Sequence, residues 1–226
     1  MAEMWRTDWV RKRATVATQL QSGGCGGSYG DAALILCSCM SAVAADVWPG
    51  DGIDRNRFVE LLVQYVPPRL GAMRVSIPLL VDYLRRQQRT AEASQLESTF
   101  LERFPAGTIL IGEEVDKNEN EIQAACGSLS LKCLRRSSYA DLLYREVRSS
   151  YTHEGKTGHV AESWPMTALA THVSYVNWSI PPLRRIHFPI EWMSELARGA
   201  AEAVDRMIPS ISSPQVERPQ KWWLEG

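Results

Sequence analysis

A chain of 226 residues with 45% apolar side chains is long enough for one generous domain with a sizeable core. Its formal net charge of -1 excludes a general nucleic-acid coat protein, so any nucleic-acid contact has to come from a local patch. Five Cys, an odd number without paired spacing, argue against a disulfide framework and for reduced thiols in a cytoplasmic protein.

Met1 to Arg13 is charged and aromatic and lacks the continuous apolar core of a secretory signal. Glu3 to Leu20 reads as a first helix, stopped by Gly23-Gly24. Ser28 and Asp31 form a capping-box pattern, from which a long apolar helix runs to about Val47 and stops at Trp48-Pro49-Gly50. Its apolar run, Ala32 to Ala45, falls short of the roughly 20 residues a membrane span needs. The reading is a buried core helix, with no membrane partner. Asp54 is the expected cap of a third helix through Tyr65, with Phe58, Leu61, Leu62 and Tyr65 on one side. Pro67-Pro68 ends it. Ser76 to Arg89 reads as a fourth helix, with Pro78 tolerated in its first turn. Ser94 and Glu97 resemble another capping box ahead of a short helix ending at Pro105.

Thr108 to Ile111 is either a short strand or simply extended. Asn118 to Cys126 reads as a short helix. Ser138 and Asp141 cap a helix over about Tyr139 to Thr152, with the apolar stripe Ala140, Leu143, Tyr144, Val147 and Tyr151 and a stop at Gly155. Thr171 to Ile180 is rich in Val, Tyr, Trp and Thr. Pro181-Pro182 and then Arg184 to Phe188 follow, giving two extended segments around a turn. Pro189 opens a last helix, about Ile190 to Met207, with Trp192, Leu196, Ala200, Ala203 and Met207 as its inner face. Residues 1–209 read as a single domain and 210–226 as a flexible C-terminal tail, with Trp222-Trp223 as a docking point. The sum is a mainly α fold, a helical bundle with a small extended or β-hairpin insertion near residues 171–188.

The chemistry concentrates in Tyr144-Arg145-Glu146-Val147-Arg148-Ser149-Ser150-Tyr151-Thr152-His153-Glu154-Gly155. Arg148 can hold the charge of a phosphate, and His153 can move a proton near neutral pH. That is the minimum equipment for cutting RNA without a metal. A base takes the 2′-hydroxyl proton, an acid protonates the leaving 5′ oxygen, and a cation steadies the phosphoryl oxygens. Five positions along an α-helix are about 7.5 Å of rise and roughly 140° of rotation, so Arg148 and His153 do not share one ideal face. A second copy across a two-fold axis brings two Arg and two His into one cleft, which favours a homodimer. From Lys132 to His159 the basic residues are Lys132, Arg135, Arg136, Arg145, Arg148 and Lys156, against Asp141, Glu146 and Glu154. That local excess attracts phosphate. The bland reading pairs Arg148 with Glu146 or Glu154 and leaves His153 as a helix C-cap.

The same run resembles the signature of HEPN proteins, all-helical domains that are commonly dimeric and often metal-independent endoribonucleases. Arg148 and His153 fall on the catalytic pair. Ser149 takes the polar position after the Arg, where Asn or Asp is more usual. The resemblance covers about a dozen residues. It implies an RNA or nucleotide partner, a toxin or defence setting with an antitoxin-like protein partner, and no cofactor or metal. Arg145, Ser149, Tyr151 and Lys156 are then the substrate-binding candidates. A rival reading is a non-catalytic module that holds a nucleotide, an RNA or a protein in the same groove; a third is a structural domain with no site at this motif.

Other features point less far. The Gly-rich turn Gly23 to Gly30 precedes a helix but lacks the Lys-Ser/Thr ending of a P-loop and follows no strand. It reads as a tight helix connection that can border the cleft. Cys37 and Cys39 face different ways on a helix, and Cys126 and Cys133 have no His at finger-like spacing. Arg184, Arg185 and His187 form a second basic cluster, either lining the same cleft or facing solvent.

Overall fold

The computed structural model describes residues 4–104, 108–164, 171–177, 184–208 and 216–226. The chain is mainly helical with a small antiparallel sheet. The two expected extended segments are strands β2 (Ser174–Asn177) and β3 (Arg184–His187); the turn expected between them lies outside the described residues. A third strand, β1 (Leu110–Ile111), pairs with β2, Leu110 opposite Tyr175 and Ile111 opposite Ser174.

The central element is α2 (Tyr29–Val47), which packs on α1 (Trp5–Gln21), α3 (Asp54–Gln64) and α11 (Ile190–Met207). Ser28 accepts from the Asp31 N–H while Asp31 accepts from the Ser28 N–H, so the capping box forms as expected. Leu36, Cys37, Met40, Ala44 and Val47 are fully buried on its inner side. At 19 residues with mean hydropathy 1.5 the helix is long and apolar enough to cross a membrane by length and composition, yet here it is the core helix of the bundle. On α11 the buried stripe runs through Met193, Ala197, Ala201 and Val204 as well as Trp192, Leu196 and Ala200, and it leaves the expected Met207 at 42% exposure.

A second apolar cluster gathers α4 (Ile77–Arg86), α5 (Thr90–Phe100), α7 (Glu119–Ala125) and α8 (Leu131–Arg135) around Ile77, Leu80, Leu84, Leu96, Ile122 and Leu134. Ser76 caps α4 through the Leu79 N–H, and Asn118 with Glu121 closes a capping box on α7. Two expected caps differ. Asp54 lies inside the first turn of α3 and pairs with Arg57. Helix α5 begins at Thr90 and not near Ser94, because Gln88 at φ 60° turns the chain back and Arg89 pairs with Glu92 at 2.7 Å.

Between the clusters sits a buried polar knot. Asp116, which follows α6 (Gly112–Val115), accepts from the hydroxyls of Tyr139 and Tyr175 and from the Ile77 N–H at 2.9 Å. The Ser76 hydroxyl lies 2.8 Å from the Tyr175 hydroxyl oxygen, which accepts its proton. The knot ties α4, β2 and the start of the motif helix together.

Residues 216–226 hold to the body of the chain. Trp222 meets Trp48 edge-on at 5.7 Å, the Trp223 N–H donates to Glu60 at 2.7 Å, and the Arg135 guanidinium lies 4.7 Å over the Trp223 ring. The tryptophan pair therefore docks, and its partner is the chain itself.

Candidate functional site

The motif lies on one continuous helical stretch: α9 (Tyr139–Leu142), a π-helical segment (Leu143–Ser149) and α10 (Ser150–Glu154). Ser138 caps it through the Asp141 N–H at 3.3 Å, and Gly155 ends it at φ 69°, where L side chains are rare. Tyr139, Ala140, Leu143 and Val147 are buried, and the stretch packs against α2 and α3.

The π winding is the feature the sequence reading lacked. Its hydrogen bonds close over five residues, so each turn holds more residues than the 3.6 of an α-helix. Residues five apart consequently come nearer to a common face. Arg148 lies inside this segment and His153 in the α-helical turn after it, so only the first part of their span gains. The Ser150 hydroxyl donates to the Arg145 carbonyl, five residues back, at 3.2 Å. π segments inside helices occur frequently at functional sites.

The arginines here divide sharply. Arg145 donates to Asp141 at 3.0 Å, to Glu146 at 2.7 Å and to the Arg136 carbonyl at 3.1 Å. Asp141 also takes a two-pronged bond from Arg55 at 2.7 and 2.9 Å. These four charges answer one another, which makes Arg145 a brace. Arg135 pairs with Glu119 at 2.9 Å. Arg148, by contrast, has no carboxylate partner among the described residues. Its guanidinium lies 5.2 Å over the Tyr144 ring and 3.5 Å from the Tyr144 hydroxyl. Beneath it is Cys37, whose thiol burial pushes up to about 12 although the Arg148 charge pulls the other way. That thiol is therefore inert.

His153 is exposed and makes no hydrogen bond or ion pair among the described residues. Ser149 is half-buried between them in sequence, and Lys156 is exposed without an ion pair among the described residues. Tyr151 is half-buried, its ring packed directly over Gly30, where a Cβ would come 2.5 Å from the ring edge. The Gly-rich turn thus borders the motif helix through Gly30. The Tyr151 hydroxyl is pushed above its ordinary range by burial, with Ser163 and Glu162 beside it.

The second basic cluster is placed differently. His187 is 3% exposed, shares a 3.0 Å hydrogen bond with the Glu162 carbonyl through Nδ1, and is pushed below its ordinary range by burial. Arg185 pairs with Glu162 at 3.5 Å. Arg184 is half-buried near Asp82 and Glu97, and burial lowers its affinity for the proton. No group of three or more His, Cys, Asp or Glu side chains among the described residues is placed to hold a metal ion.

No family model, curated protein or solved structure matches this chain. The chemical reading of the site therefore rests on its own geometry and on the motif.

Proposed function

We propose that the chain is a metal-independent endoribonuclease of HEPN type that acts as a homodimer, with Arg148 and His153 as its catalytic residues. The observation that supports this reading is the unanswered charge of Arg148. One turn away Arg145 binds two carboxylates, while Arg148 is left on an aromatic ring with its cation available for a phosphate. His153 sits at the C-terminal end of the same helical stretch. In the dimer one His153 takes the 2′-hydroxyl proton and the 2′ oxygen attacks phosphorus. The second copy's His153 then protonates the departing 5′ oxygen. The Arg148 pair holds the negative phosphoryl oxygens, and the product is a 2′,3′-cyclic phosphate. In a toxin or defence setting, an antitoxin-like partner would cover this face.

The test is wild-type and His153→Ala protein incubated with mixed RNA in excess chelator. Cleavage to 2′,3′-cyclic ends by the wild type alone supports the assignment; equal cleavage by both removes His153 from it. A second reading, a non-catalytic nucleotide-, RNA- or protein-binding module, draws on the spacing of Arg148 and His153, five positions apart on one helical stretch. It predicts no cleavage, with binding lost in Arg148→Ala and kept in His153→Ala. Light scattering at micromolar concentration tests the dimer.

A further inference from the structure

A cavity of about 150 Å³ opens between α4 and the motif helix, on the side of Arg145 and apart from the Arg148 ring stack. Leu79, Leu142 and Val160 are buried in its walls. Arg86, Arg136 and His159, all exposed, stand around it, with half-buried Tyr83.

Three observations make this an anion site. The first is charge. Arg145 and Glu146, also in the wall, neutralise each other at 2.7 Å. Arg86 and Arg136 have no carboxylate ion pair among the described residues; Arg86 makes one hydrogen bond, to the Asp82 carbonyl at 3.4 Å. Two guanidinium charges therefore remain at one small opening.

The second is a free donor. Ser137 lines the cavity, and its hydroxyl makes no hydrogen bond among the described residues, so it is open to an acceptor that enters.

The third is rigidity. The Gly158 N–H donates to the Glu146 carbonyl at 2.6 Å, and a Cβ at Gly158 would overlap the Glu146 carboxylate. Val160 is tied to β3 through the Ile186 N–H at 2.9 Å. His159, between these two anchors, is held at the opening and not left on a free loop.

Size decides the ligand. Pockets for whole small molecules run to about 300–1,000 Å³, so this cavity takes a single group and not an entire nucleotide. A tetrahedral oxyanion matches two guanidinium forks, an imidazole and hydroxyl donors. We infer that this cavity binds one phosphate group, either free inorganic phosphate or the terminal phosphate of a nucleotide or oligonucleotide. The inference stands independently of RNA cleavage.

The experiment is calorimetric titration of the full chain, at fixed ionic strength, with inorganic phosphate and separately with a uridine dinucleotide bearing a 5′-phosphate or a 5′-hydroxyl. Wild type should bind phosphate saturably. Each of Arg86→Gln and Arg136→Gln should weaken it about tenfold or more, since each removes a charge-assisted contact. Ser137→Ala should weaken it less. Both arginines are exposed and unpaired, so their variants should keep the wild-type melting temperature. Tighter binding of the 5′-phosphorylated dinucleotide than of phosphate identifies a terminal phosphate as the ligand, and the reverse order a free one. The inference is overturned if wild type binds neither, if the Arg86 and Arg136 variants bind as wild type, or if Arg148→Gln alone removes binding.

Discussion

At the corner where α1 meets α11, every charge is answered. Arg6 is 3% exposed and donates to Asp205 at 3.2 Å, to Asp46 at 3.1 Å and to the Ile208 carbonyl at 3.0 Å. Asp205 in turn accepts from the Thr7 N–H at 2.8 Å and its hydroxyl at 2.7 Å. Along the outer half of the motif helix the same residue types are treated in the opposite way. Arg148 rests on a ring, and His153 makes no hydrogen bond or ion pair among the described residues. The difference follows from solvent. A buried unpaired charge costs several kcal/mol, so folding forces the α1–α11 corner to close. A half-buried Arg and an exposed His cost little, so the fold can keep them for a ligand. Where paired and unpaired arginines alternate on one helix, the unpaired one is the better candidate for binding.

The largest effect expected from this contrast is on the open side. His153→Ala should lower cleavage by about 10²–10⁴-fold, the usual contribution of a positioned acid or base. It should change stability by less than about 0.5 kcal/mol, because the side chain is exposed and without a polar partner among the described residues. A large fall in unfolding free energy would show that His153 belongs to the closed kind of region.

Asp205→Ala reverses both expectations. It takes one of two carboxylates from the buried Arg6, which keeps only the half-exposed Asp46, and leaves Thr7 unsatisfied, so urea unfolding should show a loss of about 3 kcal/mol. Cleavage per folded molecule should stay at the wild-type level. A loss under about 1 kcal/mol would break the comparison, since closure would then not be what stabilises that corner.

Asp116 tests whether a closed region needs a cation. It is fully buried, and its nearest donors are two hydroxyls and one amide. Burial pushes its carboxyl from 3.8 up to about 7, against those hydrogen bonds and the more distant Arg74. The folded chain therefore holds this proton more tightly than the unfolded one. The stabilisation is fully present below about pH 4 and is lost as pH rises to about 7. The difference in unfolding free energy between wild type and Asp116→Asn should fall across that window by a few kcal/mol at most and be flat above it. A difference that rises with pH would mean that the hydroxyls hold a carboxylate after all.

Much of this layout is written in local sequence. Ser28 with Asp31, Asn118 with Glu121, and Gly155 mark helix ends through bonds within a few residues, and all three form. The β2–β3 pair was legible from composition. The start of α5 was not, because Ser94 and Glu97 imitate a cap while the reversal depends on the backbone angle of Gln88. The π segment was hidden because Leu143, Val147 and Tyr151 suit either winding. Arg145 and Arg148 look alike in sequence. Glu146 and Glu154 were the partners read for Arg148, but Glu146 goes to Arg145; Arg55, which fixes Asp141 from the far side, lies 86 positions away. The cavity at Ser137 was invisible for the same reason, since Arg86 and His159 reach it from distant parts of the chain.

The smallest expected effect lies on the boundary between the two kinds of region, at Gly30. Alanine there removes the roughly 1 kcal/mol penalty that glycine carries inside a helix. The added Cβ would come 2.5 Å from the Tyr151 ring edge, so something has to move. Crowding in a packed core costs about 1–3 kcal/mol, but Tyr151 is half-buried and can swing outward at the low end of that range. The two terms nearly cancel, and Gly30→Ala should melt within a few degrees of wild type. The displaced ring sits two residues before His153, so the change should appear in RNA handling. The expectation is a several-fold rise in KM with kcat less affected, as for a residue that positions substrate. If instead the melting temperature drops steeply while KM holds, Tyr151 is a packing residue that braces α2, and the open region begins beyond it.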